Sequence, residues 1–163
     1  MASLPLEASG RFAGYASRFG EADESGDVVM PGAFAKSLAR RGPRDIRMLF
    51  QHDPKEPLGI WERIAEDGFG LWVEGLLVAG VPRADALRRL IERRAIDGLS
   101  IGFRTVRARR DTKGGRRRLF EIDLWEISIV SFPMLDGARI AAPVPDRRLL
   151  RSLDAAISAL RQP

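Results

Sequence analysis

The sequence predicts a mainly β (α+β) fold, a small, mainly antiparallel sheet or β-barrel flanked by helices. Three observations carry that prediction. Six or seven short stretches show the period-2 texture of strands, with turn residues between them. Only two helical patterns interrupt them and a third closes the chain, so strands outnumber crossovers. The regular strand-helix alternation that a doubly wound parallel sheet needs is missing.

The elements follow in order. Residues 11–19 place Phe12, Gly14 and Ala16 in one parity and Ala13, Tyr15, Ser17 and Phe19 in the other, which predicts the first strand. A polar turn over 21–27 leads into Val28-Val29-Met30. Pro31-Gly32 then opens a short helix to about Arg41, with Phe34, Ala35 and Leu38 on one face and Gly42-Pro43 as its stop. Residues 46–50 form a strand that runs into Gln51-His52-Asp53-Pro54. Two more strands are expected over 60–64 and 71–77, turned at Asp67-Gly68.

Pro82 begins the second helix, where Ala84, Leu87, Leu90 and Ile91 line an apolar stripe, and Asp97-Gly98 ends it. Leu99-Ser100-Ile101-Gly102-Phe103 alternates cleanly, with the large apolar residues on one side and only Ser100 and Gly102 on the other. A hairpin turning at Lys113-Gly114-Gly115 returns through 119–122, and 124–132 is the most strand-like stretch of the chain. After Pro133 the pattern loosens, and 146–160 reads as an amphipathic helix with Leu149, Leu153, Ile157 and Leu160 on one stripe. One domain over 1–142 and a C-terminal amphipathic helical tail over 143–163 are therefore expected.

The composition excludes several kinds of chemistry. A chain of 163 residues has room for one domain, which buries roughly 70% of its unfolded surface. With 45% apolar and 30% charged residues it reads as soluble and globular, and no apolar run nears the ~20 residues of a membrane span. The start, Met1 to Glu7, has no basic residue and reaches Glu7 before an apolar region can form, so no secretory signal is expected. Cysteine is absent and His52 is the sole histidine. Disulfide frameworks, zinc fingers, thiol nucleophiles and multi-histidine metal sites are thereby removed together. Hydroxyl, carboxylate, guanidinium and one imidazole remain.

The net charge of +5 is local in origin. Between Arg104 and Arg118 there are eight basic residues against Asp111 alone, a sum of +7 that leaves −2 for the rest. Lys36, Lys55 and Lys113 are the only lysines, so 24 of the 27 basic residues are arginine. Arginine binds carboxylate or phosphate in bidentate fashion, although a GC-rich genome produces the same bias.

Gly98-Leu99-Ser100-Ile101-Gly102 matches the G-x-S-x-G pattern of a nucleophile elbow but not its setting. An elbow needs a helix directly after the serine and a histidine downstream, whereas a strand pattern follows here and His52 lies upstream. What survives is a serine on a strand with Gly102 on its own face, leaving room for a substrate carbonyl to approach Oγ. His52 sits at the rim of a strand and is the only side chain able to serve as a near-neutral base for that hydroxyl. Glu126 stands in the middle of Leu124-Trp125-Glu126-Ile127-Ser128-Ile129-Val130, where period 2 gives it a face with Leu124, Ser128 and Val130. A carboxylate among such residues needs a partner, either His52 or an arginine. The structural alternatives are a serine tucked under a neighbouring element, an incidental surface histidine and a glutamate on the solvent face of an edge strand.

Five blocks now carry a resemblance. Gly14-Tyr15-Ala16, Pro31-Gly32-Ala33-Phe34, Gln51-His52-Asp53 with Pro57-Leu58-Gly59, Gly98-Leu99-Ser100-Ile101-Gly102-Phe103, and Glu126-Ile127-Ser128-Ile129-Val130-Ser131-Phe132-Pro133 occur in the order seen in phage prohead proteases. Over residues 11–142 the chain resembles that family, which is distantly similar to the herpesvirus assemblin proteases with their small β-barrel and surrounding helices. The resemblance implies a serine endopeptidase of procapsid maturation that cleaves scaffold or the N-terminal extension of the major capsid protein, with self-cleavage. It implies action inside the immature capsid, in the cytoplasm of a bacterial host, whether the particle belongs to a phage or to a gene transfer agent.

Carried over residue by residue, the family's histidine falls on His52 and its nucleophile on Ser100. Assemblins use a second histidine as third member, and Glu126 occupies that position by place and chemistry, with Asp53 as fallback. The family's closing Pro-Ala-Asn is Pro133-Met134-Leu135 here. The backbone N–H groups of Met134 and Leu135, with the space at Gly102, are the candidate oxyanion and substrate-binding groups. No metal or cofactor is required, and no membrane. Partners would be capsid and scaffold segments, the latter drawn by the arginine-rich hairpin if acidic, and a second protomer in a homodimer. The competing class is a non-enzymatic nucleic-acid binder using that hairpin with Phe103 and Phe120 as stacking residues, or a structural capsid-assembly protein.

Overall fold

A computed structural model describes residues 10–111 and 115–141. The expected turn residues Lys113-Gly114, the boundary at 142/143 and the helix over 146–160 lie outside the described residues. The strands are β1 (Arg11–Arg18), β2 (Asp27–Val29), β3 (Arg47–Phe50), β4 (Asp53–Glu66), β5 (Gly70–Leu77), β6 (Gly98–Arg110) and β7 (Arg117–Val130). The helices are α1 (Ala35–Arg40) and α2 (Pro82–Glu92).

The strands form one seven-stranded sheet in the order β1-β5-β4-β3-β7-β2, with β6 on β7. β7 organises it. Its whole length pairs with β6 on one edge. The opposite edge takes β2 at Asp27–Val29 and β3 at Arg47–Phe50, both parallel, so the sheet is mixed rather than purely antiparallel. The other pairings, β1 with β5, β5 with β4, and β4 with β3, are antiparallel.

The sheet curls until β1 and β6 are joined by the short segment 138–141. Leu99 N–H donates to Ala138 O at 2.8 Å and Ile140 N–H to Asp97 O at 2.7 Å on one side. Tyr15 N–H donates to Arg139 O at 3.2 Å and Ala141 N–H to Ala13 O at 2.8 Å on the other. Gly14 is the close approach in this seam, since a Cβ there would lie 2.2 Å from Arg139 O.

Inside the curl sit Phe12, Trp61, Met48, Leu58, Leu71, Val73, Leu99, Ile127 and Ile129, none more than 1% exposed. Phe12 and Trp61 meet edge to face at 5.5 Å, a geometry that the ring quadrupoles favour. The two helices close the outside, α1 against β7 and α2 against β4 and β5. α1 begins at Ala35, four residues later than Pro31, because 31–34 form turns. It buries Ser37 where Ala35 was expected, and Ser37 Oγ accepts the N–H of the fully buried Leu124 at 2.9 Å. In α2, Ala84, Leu87 and Ile91 are buried as their spacing predicts, but Leu90 is 40% exposed. Among the described residues no helix is long and apolar enough to cross a membrane.

Candidate active site

The ladder sets the register of the candidate residues. β6 and β7 place Ser100 opposite Ser128 and Gly102 opposite Glu126. On the far edge of β7, Leu49 lies beside Ser128 and Phe50 beside Ile129. Phe50 pairs with Asp53, so Gln51 and His52 form a two-residue connection from β3 to β4 at this point of the sheet.

That connection is strained. Gln51 has φ 53° and His52 φ 59°. Positive φ at both central residues is what a type I′ hairpin demands, and Asn or Gly normally supplies it. A side chain held there costs on the order of 1–3 kcal/mol and persists only where its surroundings over-determine it. Here β7 and Ser131, the residue after it, supply the restraint. Gln51 N–H donates to Ile129 O at 3.1 Å, Gln51 Nε2 to Ser131 Oγ at 2.9 Å, and His52 N–H to Ser128 Oγ at 3.1 Å.

The result is a row of three side chains. His52 Nε2 stands 3.0 Å from Ser100 Oγ, and Nδ1 stands 2.5 Å from Glu126 Oε1. The second carboxylate oxygen, Oε2, accepts from Ser128 Oγ at 2.5 Å. Of the partners left open for Glu126, the imidazole is the one present. Asp53 instead accepts the N–H of Lys55 through Oδ1 at 2.8 Å and caps the start of β4. Ser100 is 6% exposed. The His52 side chain is 42% and that of Glu126 13% exposed, so the ring keeps one flank in water while the carboxylate is largely covered.

Period 2 misplaces one neighbour of this row. The β6–β7 register shifts between Gly102, opposite Glu126, and Phe103, opposite Leu124. Trp125 is thereby the extra residue of a bulge and is 50% exposed. Leu124, Ile127 and Ile129 all belong to the core, and Glu126 is released from the face of Leu124. Gly102 lies against the same carboxylate. A Cβ there would lie 1.9 Å from Glu126 Oε1 and 2.6 Å from its Cδ, so the space expected to admit a substrate carbonyl is filled by the Glu126 carboxylate.

Ser100 opens onto a cleft of about 200 Å³ whose wall includes Leu99, Ile101, Phe103, Met134 and Leu135. Met134 and Leu135 thus share a cavity with the hydroxyl. Arg18, Glu21, Asp23 and Asp27 also line the cleft. Ser128 and Gln51 were not singled out by sequence reasoning as site residues. The parity that puts Ser128 on the side of Glu126 was the available signal for the first, and the lack of an Asn-Gly pair hid the hairpin that explains the second.

Glu126 sets the electrostatics of the imidazole. Its hydrogen bond lifts the His52 pKa above the ordinary 6.5, burial of the ring opposes the lift, and the carboxylate charge adds to it. A carboxylate accepting from Nδ1–H also favours the tautomer that presents the Nε2 lone pair to Ser100. The hairpin arginines are partly engaged elsewhere: Arg117 with Asp27 at 2.5 Å, Arg118 with Asp111 at 3.1 Å, Arg104 with Asp123 at 3.7 Å, and Arg107 over the Phe120 ring at 5.3 Å.

Hydroxyl, imidazole and carboxylate in one hydrogen-bonded row are the arrangement on which serine hydrolases are built, set here on a curled β sheet. The chain belongs to the caudovirus prohead serine protease family, whose model matches residues 3–150. It is 38% identical over 135 residues to the prohead protease of Enterobacteria phage HK97, covering 82% of this chain and 60% of the length of that relative. The bacteriophage T4 capsid assembly protease shares the fold with a TM-score of 0.65 at 15% identity, covering 82% of this chain and 90% of that one. KSHV protease, solved with a hexapeptide phosphonate inhibitor, gives 0.56 at 13% identity over 91% and 76% of the two chains. Varicella-zoster virus protease gives 0.52 at 14% over 93% and 75%. The herpesvirus-protease-like curled sheet expected from the sequence is the fold observed.

Proposed function

We propose that this protein is a serine endopeptidase of procapsid maturation, with Ser100 as nucleophile, His52 as general base and Glu126 as the group that orients and charge-compensates the imidazole. What supports the reading most is the imidazole seated between Ser100 Oγ at 3.0 Å and Glu126 Oε1 at 2.5 Å. The substrates in this reading are scaffold, or the N-terminal extension of a major capsid protein, cleaved inside the immature particle in the bacterial host; membership of a prohead protease family supports a capsid-assembly substrate. Residues 1–142 are the protease domain in this reading and 143–163 a tail.

In the first step the Ser100 proton passes to His52 Nε2 as Oγ bonds to the peptide carbonyl carbon, whose oxygen takes the negative charge. The imidazolium is held by Glu126. Collapse of the adduct breaks the peptide bond, and the leaving amine takes the proton from Nε2. Water then attacks the acyl-serine by the same route and restores Ser100. Backbone N–H groups around Met134 and Leu135, on the wall of the cleft, are the donors assigned to the oxyanion.

The experiment is intact mass spectrometry of the cognate major capsid protein after incubation with the wild type and with Ser100→Ala. Defined peptides are expected to be lost with the wild type alone. Identical spectra from the two proteins overturn the proposal.

A further inference from the structure

Ser128 is completely buried, with 0% of its surface exposed, yet its hydroxyl faces the site and not the core. It has two partners at once. The backbone N–H of His52 donates to Ser128 Oγ at 3.1 Å, and Ser128 Oγ donates to Glu126 Oε2 at 2.5 Å. The direction of this chain is fixed by chemistry, because an amide can only donate, an ionised carboxylate can only accept, and a hydroxyl does both. Glu126 Oε1 meanwhile meets the Nδ1 of the same histidine at 2.5 Å. The four groups close a ring: imidazole, carboxylate, hydroxyl and the imidazole's own backbone amide.

Such a ring ties the orientation of a side chain to the backbone that bears it. With one oxygen free, the Glu126 carboxylate could rotate and trade oxygens at Nδ1. With Oε2 pinned, Oε1 has one place to be, directly across from Gly102, where a bare backbone leaves it room. The same hydroxyl accepts the amide that the positive φ of His52 turns inward, so it also holds the strained connection in place. Ser128 stands opposite Ser100 in the ladder, so both ends of the row are referred to one cross-strand pair.

We propose that Ser128 is a positioning residue: its hydroxyl locks the Glu126 carboxylate and the His52 backbone together and so sets both the imidazole tautomer and the reach of Nε2 to Ser100. The proposal rests on the reading of Ser100, His52 and Glu126 given above. It asks nothing of Ser128 in contact with substrate.

The test uses two readouts, one of which needs no turnover. Because His52 is the sole histidine, nitrogen-15 histidine labelling gives a single imidazole whose two ring nitrogens report the tautomer directly. In Ser128→Ala, the nitrogens are expected to shift from a dominant Nδ1–H form toward a mixture, kcat on the cognate capsid protein to fall about 10-fold or more, and KM to hold. Ser128→Thr, which keeps the hydroxyl, restores tautomer and kcat. Should Ser128→Ala not fold, Ser128→Cys keeps the volume with a weak donor, and the same two shifts are expected of it. An unchanged tautomer with unchanged kcat in a folded variant overturns the proposal, as does a fall confined to thermal stability. A wild type without Ser100-dependent cleavage defeats the protease reading instead, and the tautomer measurement still decides the role of Ser128.

Discussion

At the scale of single residues, His52 carries opposed demands. Its pKa is raised above 6.5, chiefly by the hydrogen bond to Glu126. Folding therefore favours the protonated ring, and this stabilisation is complete below the unfolded value and lost as pH rises through the higher folded value. In the proposed role of general base the ring must be neutral, so activity is expected to climb through that same folded value. Replacing Glu126 with Gln removes both the accepting carboxylate and its charge. The acid limb of kcat/KM against pH is expected to move to lower pH, toward an ordinary imidazole, while the plateau drops by roughly 10³-fold or more from loss of the oriented tautomer. Titration of the single imidazole by NMR should follow the limb. A limb that stays in place in Glu126→Gln would show that the carboxylate does not govern His52.

At the scale of elements, the β6–β7 ladder is where the site is built, and it is also where pattern reading both succeeds and fails. Ser100, His52 and Glu126, which the structure brings into one hydrogen-bonded row, stand out in the sequence because each is unusual for its surroundings: a hydroxyl beside a glycine, a lone imidazole at a rim, a carboxylate in an apolar strand. Strict alternation then carried Glu126 onto the face of Leu124, since a bulge leaves no compositional mark and Trp125 suits a strand as well as a bulge. The two-residue connection was illegible for a similar reason. Gln51-His52 lacks the Asn-Gly signature of positive φ, and Asp53-Pro54 offered a more ordinary turn, so β4 was expected to begin well after Asp53. That Gly102 lies against the Glu126 carboxylate is visible only once its ladder partner is known. A methyl group at Gly102 would lie 1.9 Å from Glu126 Oε1 and would have to push the carboxylate out of line with Nδ1. Gly102→Ala is expected to lower kcat by about 100-fold, as misplacement by an ångström does, and to bring the His52 pKa back toward 6.5 in an NMR titration. Full activity in a well-folded Gly102→Ala protein would mean that the carboxylate has another seat.

At the scale of the whole molecule, the site depends on a ring that the chain closes late. Ser100 lies on β6, the strand that 138–141 fastens to β1, and Met134 and Leu135 reach the cleft just before that segment begins. The seam is held by backbone bonds to Leu99, Asp97, Tyr15 and Ala13, and by Arg139, which pairs with Asp97 at 2.6 Å and Asp136 at 2.7 Å. Gly14 is its tightest point: a Cβ would meet Arg139 O at 2.2 Å and Ile140 Cα at 2.8 Å, both backbone atoms with no rotamer to yield. Gly14→Ala must therefore push the segment away from β1, at a cost of about 1–3 kcal/mol for forced overpacking. The damage is expected to show in a definite place. Hydrogen exchange should quicken at the amides of Tyr15 and Ala141, which span the seam, while Ile127 and Ile129 in the core of β7 keep their protection. Cleavage should weaken further than stability does, because the wall holding Met134 and Leu135 moves with the segment. Loss of protection across the whole sheet would instead make the seam part of one cooperative unit, and unchanged exchange at Tyr15 would mean that the barrel is closed by contacts other than these.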